Sequence, residues 1–217
     1  PGVGLGFNSD VTKGAQYTPQ ISGGNGRNIN YLIDGGDNND DTTGGLLQPF
    51  PLEAIEEFNL MTHRFKAEYG RSNGGVLNVV TRSGTNEARG SWFTFNAKTF
   101  SEKLSRVGKQ AYQRYQYGGS VGGPIVENRV HYFGAFERTQ QDTKQPVNTL
   151  GLFPSADGVY DTPFRETMAT GKFTATLTSA QYLALRYGRS QNSQPNGAGL
   201  RVAPESWSTS RNTFNSI

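Results

Sequence analysis

Gln113-Arg114-Tyr115-Gln116-Tyr117-Gly118-Gly119-Ser120-Val121 alternates along its length. In an extended chain Tyr115, Tyr117, Gly119 and Val121 fall on one face, and Gln116, Gly118 and Ser120 on the other. The same period of two recurs elsewhere. Trp92, Thr94 and Asn96 oppose Phe93, Phe95 and Ala97; Val130, Tyr132, Gly134 and Phe136 oppose His131, Phe133, Ala135 and Glu137. Phe173, Ala175 and Leu177 alternate with Lys172, Thr174 and Thr176, and Leu183, Leu185 and Tyr187 with Tyr182, Ala184 and Arg186. Strands of roughly ten residues have the length that crosses a bilayer at a tilt.

The joins between these strands alternate too. Gly122 to Asn128 and Thr178 to Gln181 are short, whereas Lys98 to Tyr112, Gln141 to Arg165 and Ser193 to Ser206 are long and polar. Short turns at one end and long loops at the other are the asymmetry of an outer-membrane barrel. A soluble β-sandwich also carries alternating strands, so alternation alone leaves that fold open. The two separate on Phe93, Phe95, Tyr115, Tyr117, Tyr132 and Phe136. A sandwich buries them in one core, while a barrel turns them outward, where with Trp92 and Phe133 they suit an interfacial girdle.

Composition narrows the choice. Hydrophobic residues are 34% of 217, glycines number 28 and aromatics reach 12%, a mixture that favours many short strands and turns over helices. No apolar run reaches transmembrane-helix length, and a mean hydropathy of −0.62 is compatible with a barrel, whose membrane signal lies in alternation. The net charge is +3 with no long Lys/Arg run, which gives nucleic-acid binding no support. The chain has no cysteine, and His63 and His131 are its two histidines. Thiolate chemistry is thereby removed, and neither a zinc site nor a Ser-His-Asp relay is expected. No metal and no cofactor is expected, and no enzyme. The chain begins at Pro1 and ends in what reads as the start of a strand, and it is taken as an internal piece of a longer polypeptide.

The first third has a different texture, changing near Gly84 to Ala88. Residues 1 to 30 read as irregular backbone with one strand. Asn28 to Ile33 reads as a strand closed by the turn Asp34-Gly35-Gly36-Asp37-Asn38. Pro51 to Glu57 reads as a short helix, with proline at its start and Glu53, Glu56 and Glu57 following. Phe58 to Thr62 reads as extended, Phe65 to Tyr69 as a helical turn, and Val76 to Thr81 as a strand bounded by turn signals. Asp37, Asn39 and Asp41 have the spacing of a calcium loop, but Thr42 and Gln48 stand where glycine and glutamate belong, so a solvated turn is the better reading. The three glutamates have no partner base or nucleophile nearby, and a polar face accounts for them.

Three ordered segments then carry a resemblance: Asn30-Tyr31-Leu32-Ile33-Asp34-Gly35, Pro51-Leu52-Glu53-Ala54-Ile55-Glu56-Glu57-Phe58, and Ala67-Glu68-Tyr69-Gly70-Arg71-Ser72-Asn73-Gly74-Gly75-Val76-Leu77-Asn78-Val79-Val80-Thr81-Arg82-Ser83-Gly84-Thr85-Asn86. Together they resemble the plug domain of TonB-dependent outer-membrane receptors, and more narrowly the Oar-like branch. Gly90-Ser91-Trp92-Phe93, Gly118 to Ile125 and Tyr132 to Glu137 resemble that branch's first barrel segments. The resemblance is densest between residues 28 and 140.

It implies a mainly β chain: residues 1–85 as the later part of a small α+β plug, and residues 86–217 as the first five to six strands of an antiparallel transmembrane barrel left incomplete. It implies energised substrate uptake across the outer membrane of a Gram-negative-type bacterium, with outer-membrane lipid, the TonB–ExbB–ExbD complex and a substrate the sequence does not name as partners. A non-transport barrel serving adhesion or envelope structure, or a piece recruited into a larger assembly, is the alternative. Asp34, Asp37, Asn39, Asp40, Asp41, Arg71 and Asn73 are expected to face substrate or lumen. Gly74, Gly75, Asn78, Thr81, Ser83, Gly84, Thr85 and Asn86 are expected to carry the crossing from plug to wall, with Asn78 bonded inside a polar lumen. The long loops near 98 to 112 and 141 to 165 are expected to cap the extracellular mouth.

Overall fold

The computed structural model describes residues 3–10, 14–21, 26–41, 44–62, 65–66, 68–72, 74–101 and 110–217. A hairpin opens it, β1 (Val3–Asp10) paired antiparallel with β2 (Gly14–Ile21). The reading of residues 1 to 30 as mostly irregular is thereby corrected, for an extended backbone can pair through its N–H and C=O groups without a strong side-chain period. A four-stranded mixed sheet follows, built from β3 (Ile29–Ile33), β4 (Gly36–Asp37), β5 (Ile55–Met61) and β6 (Gly75–Thr81) in the order β4-β3-β6-β5. β3 runs parallel to β6, and β5 antiparallel to it. Ile21, Ile29 and Tyr31 are buried together, with Leu46, Leu60 and Leu77 packed against them. Burial pushes the Tyr31 hydroxyl up to about 12.

The helix expected at Pro51 to Glu57 is a single 3-10 turn, Leu52–Ala54, after which the chain extends into β5. Tertiary contacts override the local helix signal. Ala54 is fully buried beside Phe133 and Ala135, and Ile55 onward pairs with β6 through a bulge between Ile55 and Glu57. The helical turn expected at Phe65 to Tyr69, whose residue 67 lies outside the described residues, is a plain turn in which Tyr69 N donates to Lys66 O at 3.0 Å.

The remainder is a six-stranded antiparallel meander: β7 (Arg89–Ser101), β8 (Gln110–Val126), β9 (Val130–Asp142), β12 (Phe164–Thr178), β13 (Gln181–Asn196) and β14 (Ser208–Ser216). The long join after β9 carries its own small hairpin, β10 (Lys144–Val147) with β11 (Gly158–Asp161). Among the described residues β7 and β14 are edges, so the sheet is open. The turn expected at Gly122 to Asn128 lies later: β8 continues to Val126, with a bulge between Pro124 and Val126, and the chain reverses at 127–129. Pro124 falls past the last β7–β8 pair, Arg89 with Gly122, so its missing N–H breaks no ladder on that side.

Register sorts the side chains into rows. Arg89, Gly122, Phe133, Lys172 and Arg186 are cross-strand neighbours on one face, as are Phe93, Gly118, Glu137, Met168 and Ser190. This face meets the small sheet. The other face holds Trp92, Gly119, Phe136 and Ala169 in one row and Tyr132, Phe173 and Leu185 in another. Trp92 there is 69% exposed, and its ring centroid is 6.2 Å from that of Tyr117. An apolar face with aromatic rings, backed by a polar face, is the pattern of a lipid-facing wall. The girdle expected from the aromatics is therefore divided. Trp92, Tyr115, Tyr117, Tyr132 and Phe136 lie on the outer face, but Phe93, Phe95 and Phe133 belong to the inner one by strict alternation, and Phe133 is 7% exposed.

Candidate functional site

The two sheets meet at Asp34. This residue ends β3 with a positive φ of 48°, which with Gly35 turns the chain sharply and aims the carboxylate at the wall. Thr81 N donates to its Oδ1 at 2.8 Å and Thr81 Oγ1 to its Oδ2 at 2.6 Å, tying together the ends of β3 and β6. From the large sheet, Lys172 Nζ reaches Oδ1 at 3.3 Å and Arg186 Nε reaches Oδ2 at 3.4 Å. Lys172 also donates to Thr81 O at 3.0 Å. One carboxylate thus serves two strands of its own sheet and two cations of its neighbour.

A second junction centres on Glu137, which is 2% exposed. Its Oε2 accepts from Leu52 N at 2.9 Å, at the open start of the 3-10 turn, and its Oε1 accepts from Gln116 within the wall. Nearby, Ser91 Oγ meets both Glu53 and Ser120. Gln48 is also driven into the seam, with Nε2 3.2 Å from where a side chain on Gly188 would begin.

The acidic loop lies along β3, beside Asn30, Tyr31 and Leu32. Arg71, itself at φ 67°, reaches Asp37 Oδ2 at 2.6 Å and also pairs with Asp41. Asn39 accepts from Tyr31 N at 2.9 Å and donates to Asn30 Oδ1 at 2.8 Å. The carboxylates that share a calcium-like spacing thus converge on a guanidinium. Asp37 feels burial, which acts to raise it, but hydrogen bonds from Asn39 and the Arg71 charge outweigh that and hold its carboxyl below the ordinary range. A depressed carboxyl stabilises the fold above its unfolded value of about 3.9 and loses that contribution as pH falls through the folded value. The loop is therefore expected to be insensitive to pH between about 5 and 8 and to loosen below about 4. Because the pair is half-exposed, the loss is under about 1 kcal/mol. Hydrogen exchange at Asn39 N, with Asp37→Asn as the pH-insensitive reference, checks it.

Asp34, expected beside this acidic group, is set apart from it at the wall junction. Asp40 N donates to Gly45 O at 3.0 Å, and Asn73 lies outside the described residues. Ser72 Oγ accepts from Gly75 N at 2.8 Å, and Gly75 packs so closely that an added Cβ would sit 2.5 Å from Ile21 Cδ1. Asn78 Oδ1 accepts from Gly35 N at 3.4 Å. The chain then leaves β6 for the wall. Arg82 N donates to Ala54 O at 2.8 Å, Thr85 Oγ1 to Glu87 O at 3.0 Å, and Asn86 Oδ1 accepts from Asn128 N at 2.7 Å beside His131 Nε2 at 2.8 Å. Gly84 lies against the backbone of Gly123 and Tyr132. A cavity of about 400 Å³ opens here, lined in part by Glu56, Arg82, Ser83, Arg89 and Phe133.

Residues 80–208, more than half of the chain, match the family described as outer membrane beta barrel domain. The chain belongs to that family. It is 30% identical over 168 residues to the TonB-dependent transporter Oar of Myxococcus xanthus, covering 70% of this chain and 16% of that protein. It is 28% identical over 168 residues to the probable TonB-dependent siderophore receptor PirA of Acinetobacter baumannii, covering 70% of this chain and 21% of that one. Mutants of the ferric enterobactin receptor PfeA from Pseudomonas aeruginosa share its fold. One superposes with a TM-score of 0.61 at 21% identity over 89% of this chain and 29% of the receptor, and a second, in complex with enterobactin, has the same TM-score. The barrel domain thus resides in the outer membrane and is similar to TonB-dependent receptors, and the chain spans about a fifth of the length of the curated relatives it matches.

Lys172, Arg186 and Glu137 hold the junctions between the two sheets, and no sequence motif had singled them out as site residues. The alternation had placed Lys172, Arg186 and Glu137 on particular strand faces. A charged residue recurring on the face opposite the apolar rows is the signal that marks a position turned toward the lumen.

Proposed function

We propose that residues 1–85 form the later part of a plug and residues 86–217 the first strands of the wall around it, within a transporter that admits substrate when the TonB–ExbB–ExbD complex pulls on the plug. The observation that carries this reading is the Asp34 junction, where two ionic contacts join a separate sheet to the polar face of a lipid-facing wall, beside the Glu137 and Ala54 contacts. Such contacts are strong enough to seat a sheet and few enough to be broken by force. The acidic loop, held along β3, is assigned in this reading to the side from which substrate arrives. The siderophore receptors among the relatives make a ferric siderophore the first cargo to try.

Uptake of radiolabelled ferric enterobactin, a ferric hydroxamate, cobalamin and an oligosaccharide by receptor-deficient cells carrying the full-length protein tests the reading. Uptake of one of them that falls to background when TonB is deleted is expected. No uptake above receptor-deficient cells, or uptake indifferent to TonB, would overturn it and leave an adhesive or envelope-structural barrel.

A further inference from the structure

Lys172 and Arg186 face each other directly across β12 and β13. Like charges in that position repel, and here the cost is not relieved by water, since each side chain is 11% exposed. Among the described residues Asp34 supplies the single carboxylate within ion-pair distance of either. The wall itself steadies Arg186, whose Nη1 donates to Ser216 Oγ at 3.0 Å on the next strand. The wall thus carries a two-cation cleft whose counter-ion belongs to another sheet. A guanidinium fork beside an ammonium suits an oxyanion, the first by paired donors and the second as a point charge.

We propose that Lys172 and Arg186 form an oxyanion-binding site on the wall, which Asp34 fills while its sheet is seated and which a carboxylate or phosphate group of the cargo takes when that sheet withdraws. The cargo half of this rests on the transport reading; the binding site does not. Asp34 then acts as a tethered competitor. The site is masked at rest and becomes available only along the path the cargo follows.

In the full-length receptor refolded in detergent, Asp34→Ala leaves a carboxylate-sized gap facing both cations. Sodium formate and inorganic phosphate are titrated separately against the thermal transition, with sodium chloride holding ionic strength constant. A saturable rise in Tm is expected for Asp34→Ala, and none for the wild type or for Asp34→Ala/Lys172→Met/Arg186→Met. No rise in Asp34→Ala, or equal rises in all three proteins, overturns the site. Should Asp34→Ala refold poorly, the yield of folded barrel is compared in formate and in formamide, its uncharged counterpart. Recovery in formate alone upholds the site, and recovery in both or in neither overturns it. Formate binding without any TonB-dependent uptake would keep the site and remove the transport reading, whereas uptake without formate binding would do the reverse.

Discussion

Asp34→Asn is expected to lower the unfolding free energy of the full-length protein by about 3 kcal/mol, the lower end of the range for removing one partner of a buried ion pair. The side chain of Asp34 is 22% exposed and those of Lys172 and Arg186 11%, so water screens the network only a little. The substitution preserves shape and deletes charge. It leaves two cations opposed on the wall and weakens both bonds to Thr81. Adding Lys172→Met is expected to restore a large part of the loss, because the repulsion disappears with one of its members. Urea midpoints of the two variants and the parent decide the matter. Equal midpoints for Asp34→Asn and the parent would show that the junction carries no weight.

The second large effect is expected from Gly84→Ala. A Cβ there would lie 2.2 Å from Tyr132 O, 2.9 Å from Gly123 O and 2.9 Å from His131 Cβ. Backbone atoms inside a paired sheet have little room to yield, so the crossing segment must move instead. Overpacking of this severity costs on the order of 3 kcal/mol. The displacement also pulls Asn86 away from Asn128 and His131. Limited proteolysis should therefore begin within residues 82–88 in the variant and not in the parent. Gly70→Ala is the matched control, since no atom lies within 4 Å of its added Cβ, and it is expected to be neutral.

The wall was legible because its rule is local. Alternation of period two in Gln113 to Val121 or Val130 to Glu137 is written in consecutive residues, and pairing simply continues it, so the faces assigned from sequence are the faces found. The ends of strands were less legible. Gly122-Gly123-Pro124 has turn chemistry yet stays extended, because β9 pairs along it and the crossing segment needs the space its glycines leave: a Cβ on Gly123 would sit 3.2 Å from Ala88 Cα. Pro51 to Glu57 failed for the same reason in reverse, since a good helix start yields to a vacant edge on β6. The Asp34 junction was half legible. The loop drew attention as an acidic cluster, but its partners lie 138 and 152 residues further on by number, and no local pattern joins them. Asp34 parts from Asp37 because it sits in the tight turn between β3 and β4, whose positive φ aims its carboxylate at the wall, while Asp37, paired opposite Leu32, turns to Arg71.

The Asn86 contacts with Asn128 and His131 bear on the order of assembly. They join residues only 42 and 45 positions apart, and on the wall side they involve only the turn between β8 and β9 and the start of β9. Contacts of such short range close early, before pairings that depend on distant chain. The segment leading out of the small sheet is thereby tethered to the β8–β9 hairpin before later strands are in place. In the proposed plug-and-wall arrangement the wall is then laid around an occupant already moored, and nothing has to be threaded into a finished cylinder.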